Sequence, residues 1–189
     1  MTQHVFIIHG FEGNPHGNWF DWLATKARGA GAEVQVPQIP EPNQPIAHNW
    51  QLMLDRIIGV PNENIFLVGH SLGCITLLHF LSRHQPTKLG GLILAAGFTE
   101  TLPRLPELDN YISASSPDFS VLKQINMPKQ CLISNNDDHV PTKLTEHMAQ
   151  QLSSPLVRIE NGGHLMAENG FTELPQAWQA LLPILQANR

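Results

Sequence analysis

Charge is scarce in this chain: 14% of its residues are Asp, Glu, Lys or Arg, against roughly 25% in an average domain. Basic residues are scarcer still, with 11 Lys and Arg facing 16 Asp and Glu for a net charge of -5. No basic stripe exists to neutralise phosphates, which argues against a nucleic-acid partner. Long apolar runs are also missing. Stretches such as "LGGLILAAG" fall far short of the roughly 18 residues a membrane span needs, so no membrane partner is expected. Cysteine is limited to Cys74 and Cys131, both in apolar surroundings where a thiol behaves as a small hydrophobe. A disulfide framework is not implied, and a reducing compartment fits. The chain enters "HVFIIH" almost at once, without a basic segment, apolar core and small-residue cleavage site in succession, so a cytoplasmic location is expected. Ten histidines occur without H-E-x-x-H or comparable ligand spacing. A metal-dependent hydrolase is disfavoured on that ground, and no metal or other cofactor is expected.

What is present suits one domain over residues 1–189, with 42% hydrophobic residues to fill its core. A monomer is the default. Apolar, β-branched runs of strand length recur at "HVFIIH", "EVQVPQ", "NIFLVG", "GGLILAA", "KQCLISN" and "LVRIEN". Most are apolar on both faces, as parallel strands covered by helices on both sides should be. Helix-period segments lie between them. "WFDWLATKARGAG" puts Trp19, Trp22, Leu23 and Ala27 on one face, while "IAHNWQLMLDRIIG" and "TKLTEHMAQQL" read similarly. "ELPQAWQALLPILQANR" closes the chain around Pro183, which is expected to bend it. The alternation predicts an α/β fold: a doubly wound, mostly parallel sheet with right-handed crossover helices. The proline-rich "VPQIPEPNQP" is expected to be an ordered loop, and residues 97–117, "GFTETLPRLPELDNYISASSP", form a candidate small lid or binding loop. A plain surface excursion with one short helix carries equal weight there.

The "NIFLVGHSLGCITLLHFL" stretch joins a strand to a helix at Ser71. On such a tight turn the serine takes a strained backbone conformation, and its neighbours two before and two after must lack bulky side chains. Gly69 and Gly73 supply that clearance. The helix N-terminus offers unpaired N–H groups and a positive dipole end to a developing anion. The Leu72 N–H is the natural oxyanion donor. The blander reading is a serine N-cap between two convenient glycines.

A serine hydroxyl needs an imidazole to take its proton and a carboxylate to fix that imidazole. After a strand ending near Ser134, "CLISNNDDHVP" supplies Asp137 and Asp138. The D-x-x-x-P spacing to Pro141 favours Asp137, and the other aspartate is left an Asx turn or N-cap role. "VRIENGGHLMAENG" offers His164 after a strand and behind two glycines. His70 lies in the turn itself, where it is expected to pack beside Ser71 rather than reach it. His139 is nearer the acid than a base should be. His16, His48, His79, His84 and His147 carry no claim beyond solvation or packing. The second oxyanion donor is expected from the loop "HGFEGNPHGNW", where Gly10 lets the backbone turn close to Ser71 and the Phe11 N–H follows.

Taken together, "HGFEGNPHGNWFDWL", "GHSLG", "SNNDDHVP" and "NGGHLMAENGF" resemble the α/β-hydrolase superfamily, and within it the small serine hydrolases of the YdeN and retinoblastoma-binding-protein-nine type. The resemblance spans nearly the whole chain. It implies a three-layer α/β-hydrolase fold reduced to about six strands, a nucleophile elbow at Ser71, and a catalytic triad of Ser71, Asp137 and His164. The family pattern, in which the acid stands four residues before the proline, reinforces Asp137.

The expected function is a serine esterase, a carboxylesterase-like acyl hydrolase working through an acyl-enzyme on a small ester or related acyl substrate. Trp19, Trp22, Phe11 and the 97–117 segment are candidates to line the acyl pocket, although tryptophans at helical spacing are more often core. A short or aromatic acyl group is expected. The alternative is a non-catalytic binding or scaffold protein on the same fold, since fold alone does not name a function.

Overall fold

The computed structural model describes residues 2–187. Asn188 and Arg189, the last two residues of the expected closing helix, lie outside the described residues. In chain order the elements are β1 (His4–Ile8), α1 (Phe20–Gly29), β2 (Glu33–Gln35), α2 (Ala47–Ile57), β3 (Ile65–His70), α3 (Leu72–His84), β4 (Gly91–Ala95), α4 (Asp109–Ala114), α5 (Phe119–Leu122), β5 (Lys129–Ser134), α6 (Thr142–Leu152), β6 (Leu156–Ile159) and α7 (Pro175–Ala187). All six expected strands form. They make one sheet in the order β2-β1-β3-β4-β5-β6, every pair parallel.

The period of two along the strands sorts the core into two layers. Val5, Ile7, Phe66, Val68 and Ile93 share one face, covered by α1 through Phe20, Leu23 and Ala27 and by α7 through Leu181 and Leu185. Phe6, Ile8, Leu67, Leu92 and Leu94 share the other, against Trp50 and Leu54 of α2, Ile75 and Leu78 of α3, and Met148 of α6. Each fully buried side chain of this size contributes roughly 1.5–3 kcal/mol of hydrophobic stabilisation. Pro183 sits inside α7, which continues past it to Ala187.

The strand order places the site. From β1 the chain crosses by α1 to β2 at the sheet edge, then returns over β1 by α2 to reach β3 on its other side. The chain therefore leaves β1 and β3 toward opposite faces, and a crevice opens between their carboxyl ends. The loop after β1 and the turn after β3 meet there.

Two irregular stretches support it. The 36–45 loop is ordered: Ile39 is fully buried, the Trp50 Nε1–H donates to the Pro40 carbonyl at 2.9 Å, and the Glu12 N–H donates to Pro42 at 3.0 Å. Residues 97–117 fold into a 3-10 turn at Pro106–Leu108 followed by α4. Leu102, Leu108, Tyr111 and Ile112 are buried, and the Tyr111 and Thr76 hydroxyls lie 2.7 Å apart. These helical pieces are too short to imprint a 3.6-residue period on the sequence.

Candidate active site

Ser71 stands between β3 and α3 with φ 54° and ψ -124°, a region where a non-glycine residue costs on the order of 1–3 kcal/mol. Neighbouring bonds hold it. The Ser71 N–H donates to Ala95 of the adjacent strand at 2.9 Å, and the Cys74 N–H donates to the Ser71 carbonyl at 2.9 Å. The expected clearance is real: a Cβ on Gly73 would lie 2.3 Å from the Ile8 carbonyl oxygen, and one on Gly69 3.1 Å from the Cys74 backbone. Gly10 is a third such position, because its Cβ would fall 2.9 Å from the Ser71 Cβ and 3.1 Å from the Leu72 nitrogen.

The loops after β5 and β6 bring Asp137 and His164 to this turn. His164 Nδ1 lies 2.7 Å from Asp137 Oδ2, and His164 Nε2 lies 2.9 Å from Ser71 Oγ. A carboxylate only accepts, so Nδ1 donates and Nε2 presents its lone pair to the Ser71 hydroxyl. Asp137 also makes the Asx turn that the sequence left to the other aspartate: its Oδ1 accepts the N–H groups of His139 at 2.9 Å and Val140 at 2.8 Å. Asp138 is exposed, and its backbone carbonyl accepts from Arg104 Nη1 at 2.9 Å.

Leu72 opens α3 and Phe11 lies in the loop after β1, and neither N–H has an acceptor among the described residues. The Gly10 carbonyl just before Phe11 accepts from His9 Nδ1 at 2.9 Å and from the Gly13 N–H at 3.2 Å. His9 is fully buried, and its Nε2 accepts from the Ile39 N–H at 3.4 Å. Burial holds this imidazole below its ordinary pKa, opposed by the hydrogen bond to Gly10.

The surrounding cleft has a volume of about 360 Å³, and Ser71, Phe11 and His164 open onto it. Phe20, Leu105, Leu108 and Val140 contribute apolar surface, and Asn14, Asn18, His139 and Glu168 contribute polar surface. Two expected lining residues are elsewhere. Trp19 is fully buried with its Nε1–H on the Leu165 carbonyl at 3.0 Å, and Trp22 is half-buried with the Lys26 ammonium 5.7 Å from its ring. Trp19, the residue before α1, and Trp22 within it both pack into the core layer on that face of the sheet. His70 packs beside Ser71 as expected, its ring centroid 5.0 Å from that of His164. His139 approaches the His164 ring to the same 5.0 Å but makes no bond to Ser71. His16, His84 and His147 pair instead with Asp21, Asp55 and Glu100. The sequence reading missed Leu105 and Leu108 individually, as well as Asn136 and Asn169, which bond to the His164 loop. Asparagines in turn-rich segments carry no signal that separates such a role from turn chemistry.

A parallel sheet of this order, carrying a serine on a strained strand-to-helix turn above a crevice, defines an α/β-hydrolase. The chain belongs to the Serine hydrolase family, whose profile matches residues 5–182, and it is a hydrolase at that level of description. It is 34% identical over 182 residues to YdeN of Bacillus subtilis (strain 168), a hydrolase in name, covering 96% of this chain and 95% of that protein. The crystal structure of the ydeN gene product from B. subtilis matches with a TM-score of 0.92 at 33% identity, covering 98% of this chain and 100% of that one. The fold is shared more widely. A monoacylglycerol lipase from Paleococcus ferrophilus matches with a TM-score of 0.72 at 13% identity, over 99% of this chain and 95% of that one.

Proposed function

We propose that this hydrolase is a serine esterase that cleaves small, uncharged esters through an acyl-enzyme on Ser71. One observation carries the reading: the unbroken hydrogen-bonded chain from Asp137 through His164 to Ser71, with links of 2.7 and 2.9 Å. His164 Nε2 takes the hydroxyl proton as Ser71 Oγ attacks the substrate carbonyl, and Asp137 stabilises the imidazolium that results. The tetrahedral oxyanion is held by the Phe11 and Leu72 N–H groups, each donor lowering the barrier by roughly 3–4 kcal/mol. The C–O bond to the leaving group breaks, and the imidazolium gives its proton to the departing alkoxide. Water, deprotonated by the same imidazole, attacks the acyl carbonyl, and Ser71 is released with its proton restored.

The cleft supports a restricted substrate class. Its lining includes Glu12 and Glu168 and, among the described residues, no Lys or Arg, so no fixed cation there would neutralise a carboxylate or phosphate on the substrate. The apolar surface of Phe11, Leu105, Leu108 and Val140 suits a short or aromatic acyl group. The test is fluorophosphonate labelling joined to hydrolysis of p-nitrophenyl acetate. Labelling at Ser71 is expected, and Ser71→Ala is expected to lose at least roughly a thousandfold in kcat while folding normally. Unchanged hydrolysis by that variant rejects the mechanism, and failure to label at neutral pH favours a binding protein with an idle site.

A further inference from the structure

The backbone that carries His164 is held by side chains from its own loop and from distant parts of the chain. The Gly163 N–H donates to Asn136 Oδ1 at 2.8 Å, and the N–H groups of His164 and Met166 donate to Asn169 Oδ1 at 3.0 and 3.3 Å. The two carbonyls between them are taken by ring N–H groups. His70 Nε2 lies 2.9 Å from the His164 carbonyl oxygen, and Trp19 Nε1 lies 3.0 Å from that of Leu165. A carbonyl only accepts, so His70 carries its hydrogen on Nε2. The two donor rings meet edge to face with centroids 6.0 Å apart, and His70 and Trp19 are 3% and 0% exposed. Leu165 holds φ 55°, a left-handed backbone that a leucine keeps only where its surroundings over-determine it.

We propose that His70 is a positioning residue for the base: its Nε2–H on the His164 carbonyl, with the Trp19 N–H on the next carbonyl, holds the His164 imidazole within reach of Ser71. The inference rests on the esterase reading above. It ties the strand end that presents the nucleophile directly to the loop that presents the base, so the two move as one unit. Without these donors two buried carbonyls lose their partners, and the strained loop is free to relax. Burial, with the neighbouring His164, keeps His70 down to a pKa of about 3. It therefore donates as a neutral ring and adds no like charge beside the imidazolium that forms on His164 during catalysis.

The experiment compares His70→Phe, which keeps a ring but has no donor, with His70→Gln, whose amide N–H can reach the same carbonyl. A misplacement of about 1 Å in a reacting group costs on the order of a hundredfold, so His70→Phe is expected to lose about that factor in kcat with KM within about twofold of wild type. His70→Gln is expected to return to within about tenfold of wild type, because the donor is restored. The downfield proton resonance of the His164 Nδ1–H bonded to Asp137 should shift or broaden in the Phe variant and recover in the Gln variant. Should His70→Phe fail to fold, Trp19→Phe removes the second donor, and its kcat is expected to fall at unchanged KM. Wild-type kcat and resonance in His70→Phe, or in Trp19→Phe where it replaces that variant, overturn the proposal, as does a folded His70→Gln no better than His70→Phe. Wild-type protein without Ser71-dependent labelling overturns the esterase reading and this inference with it, whereas a labelled wild type beside an unimpaired donor-free variant overturns this inference alone.

Discussion

Asp137 and His164 stand 27 residues apart in the chain and meet at 2.7 Å, with 3% and 5% of their side chains exposed. The carboxylate is held independently of the imidazole, because its other oxygen closes a turn with the N–H groups of His139 and Val140. Asp138, one residue on, enters that turn only through its backbone, and its carbonyl accepts from Arg104.

The two aspartates therefore separate by mutation. In Asp137→Asn an amide can donate to His164 Nδ1 and favour the wrong tautomer, and kcat on p-nitrophenyl acetate is expected to fall roughly 10³- to 10⁴-fold. Asp138→Asn should stay within about twofold of wild type, as surface substitutions usually do. A larger loss in Asp138→Asn than in Asp137→Asn would reverse the assignment.

Gly10 tests the proposed oxyanion site without removing any hydrogen-bonding group of the Asp137–His164–Ser71 chain. A methyl group there would sit 2.9 Å from the Ser71 Cβ and 3.1 Å from the Leu72 nitrogen. Gly10→Ala is expected to lower kcat on the order of 10²- to 10³-fold, the scale of losing one oxyanion donor. Overpacking should also lower unfolding stability by about 1–3 kcal/mol. Denaturant titration beside kinetics separates the two effects, and a Gly10→Ala enzyme with wild-type turnover would exclude this loop from oxyanion binding.

Acid should destabilise the fold through its buried imidazoles. Burial lowers the pKa of both His9 and His70 below 6.5, His70 to about 3. Between those values the unfolded chain binds the proton that folded His70 refuses, so the stabilisation is complete above the unfolded value and drains away as pH falls through it. The slope is about 1.4 kcal/mol per pH unit for one such group. Urea unfolding from about pH 7.5 down to about pH 5 is expected to show His70→Gln losing less stability than wild type, by a slope approaching one proton. Parallel curves for the two proteins would contradict a neutral buried His70.

Leu105 is a half-buried part of the apolar lining, so it can be trimmed with little damage to the core. Leu105→Ala is expected to raise kcat/KM for longer acyl chains relative to acetate, by about tenfold for each added methylene the new space accepts. A p-nitrophenyl ester series from acetate to octanoate measures it. An unchanged chain-length profile would show that the acyl group lies against another wall.

Much of the architecture was legible because it is encoded locally. Six β-branched runs, most of them apolar on both faces, specify parallel strands, and all six formed. Gly69 and Gly73 flanking Ser71 specify a turn that bulkier residues would block, as the 2.3 Å approach at Gly73 shows. Period and spacing did not determine which way a side chain outside the strands would face. Trp19 was a candidate for the cleft and is fully buried, bonded to the loop that carries His164. The bond from His70 to the His164 carbonyl spans 94 residues, and no local pattern anticipates it. Local steric and hydrophobic preferences act over a few residues and so are written in the sequence. The meeting of Ser71, His70, Asp137 and His164 depends instead on the strand order, on which face each crossover takes, and on the close packing that settles where loops from different strands come to rest.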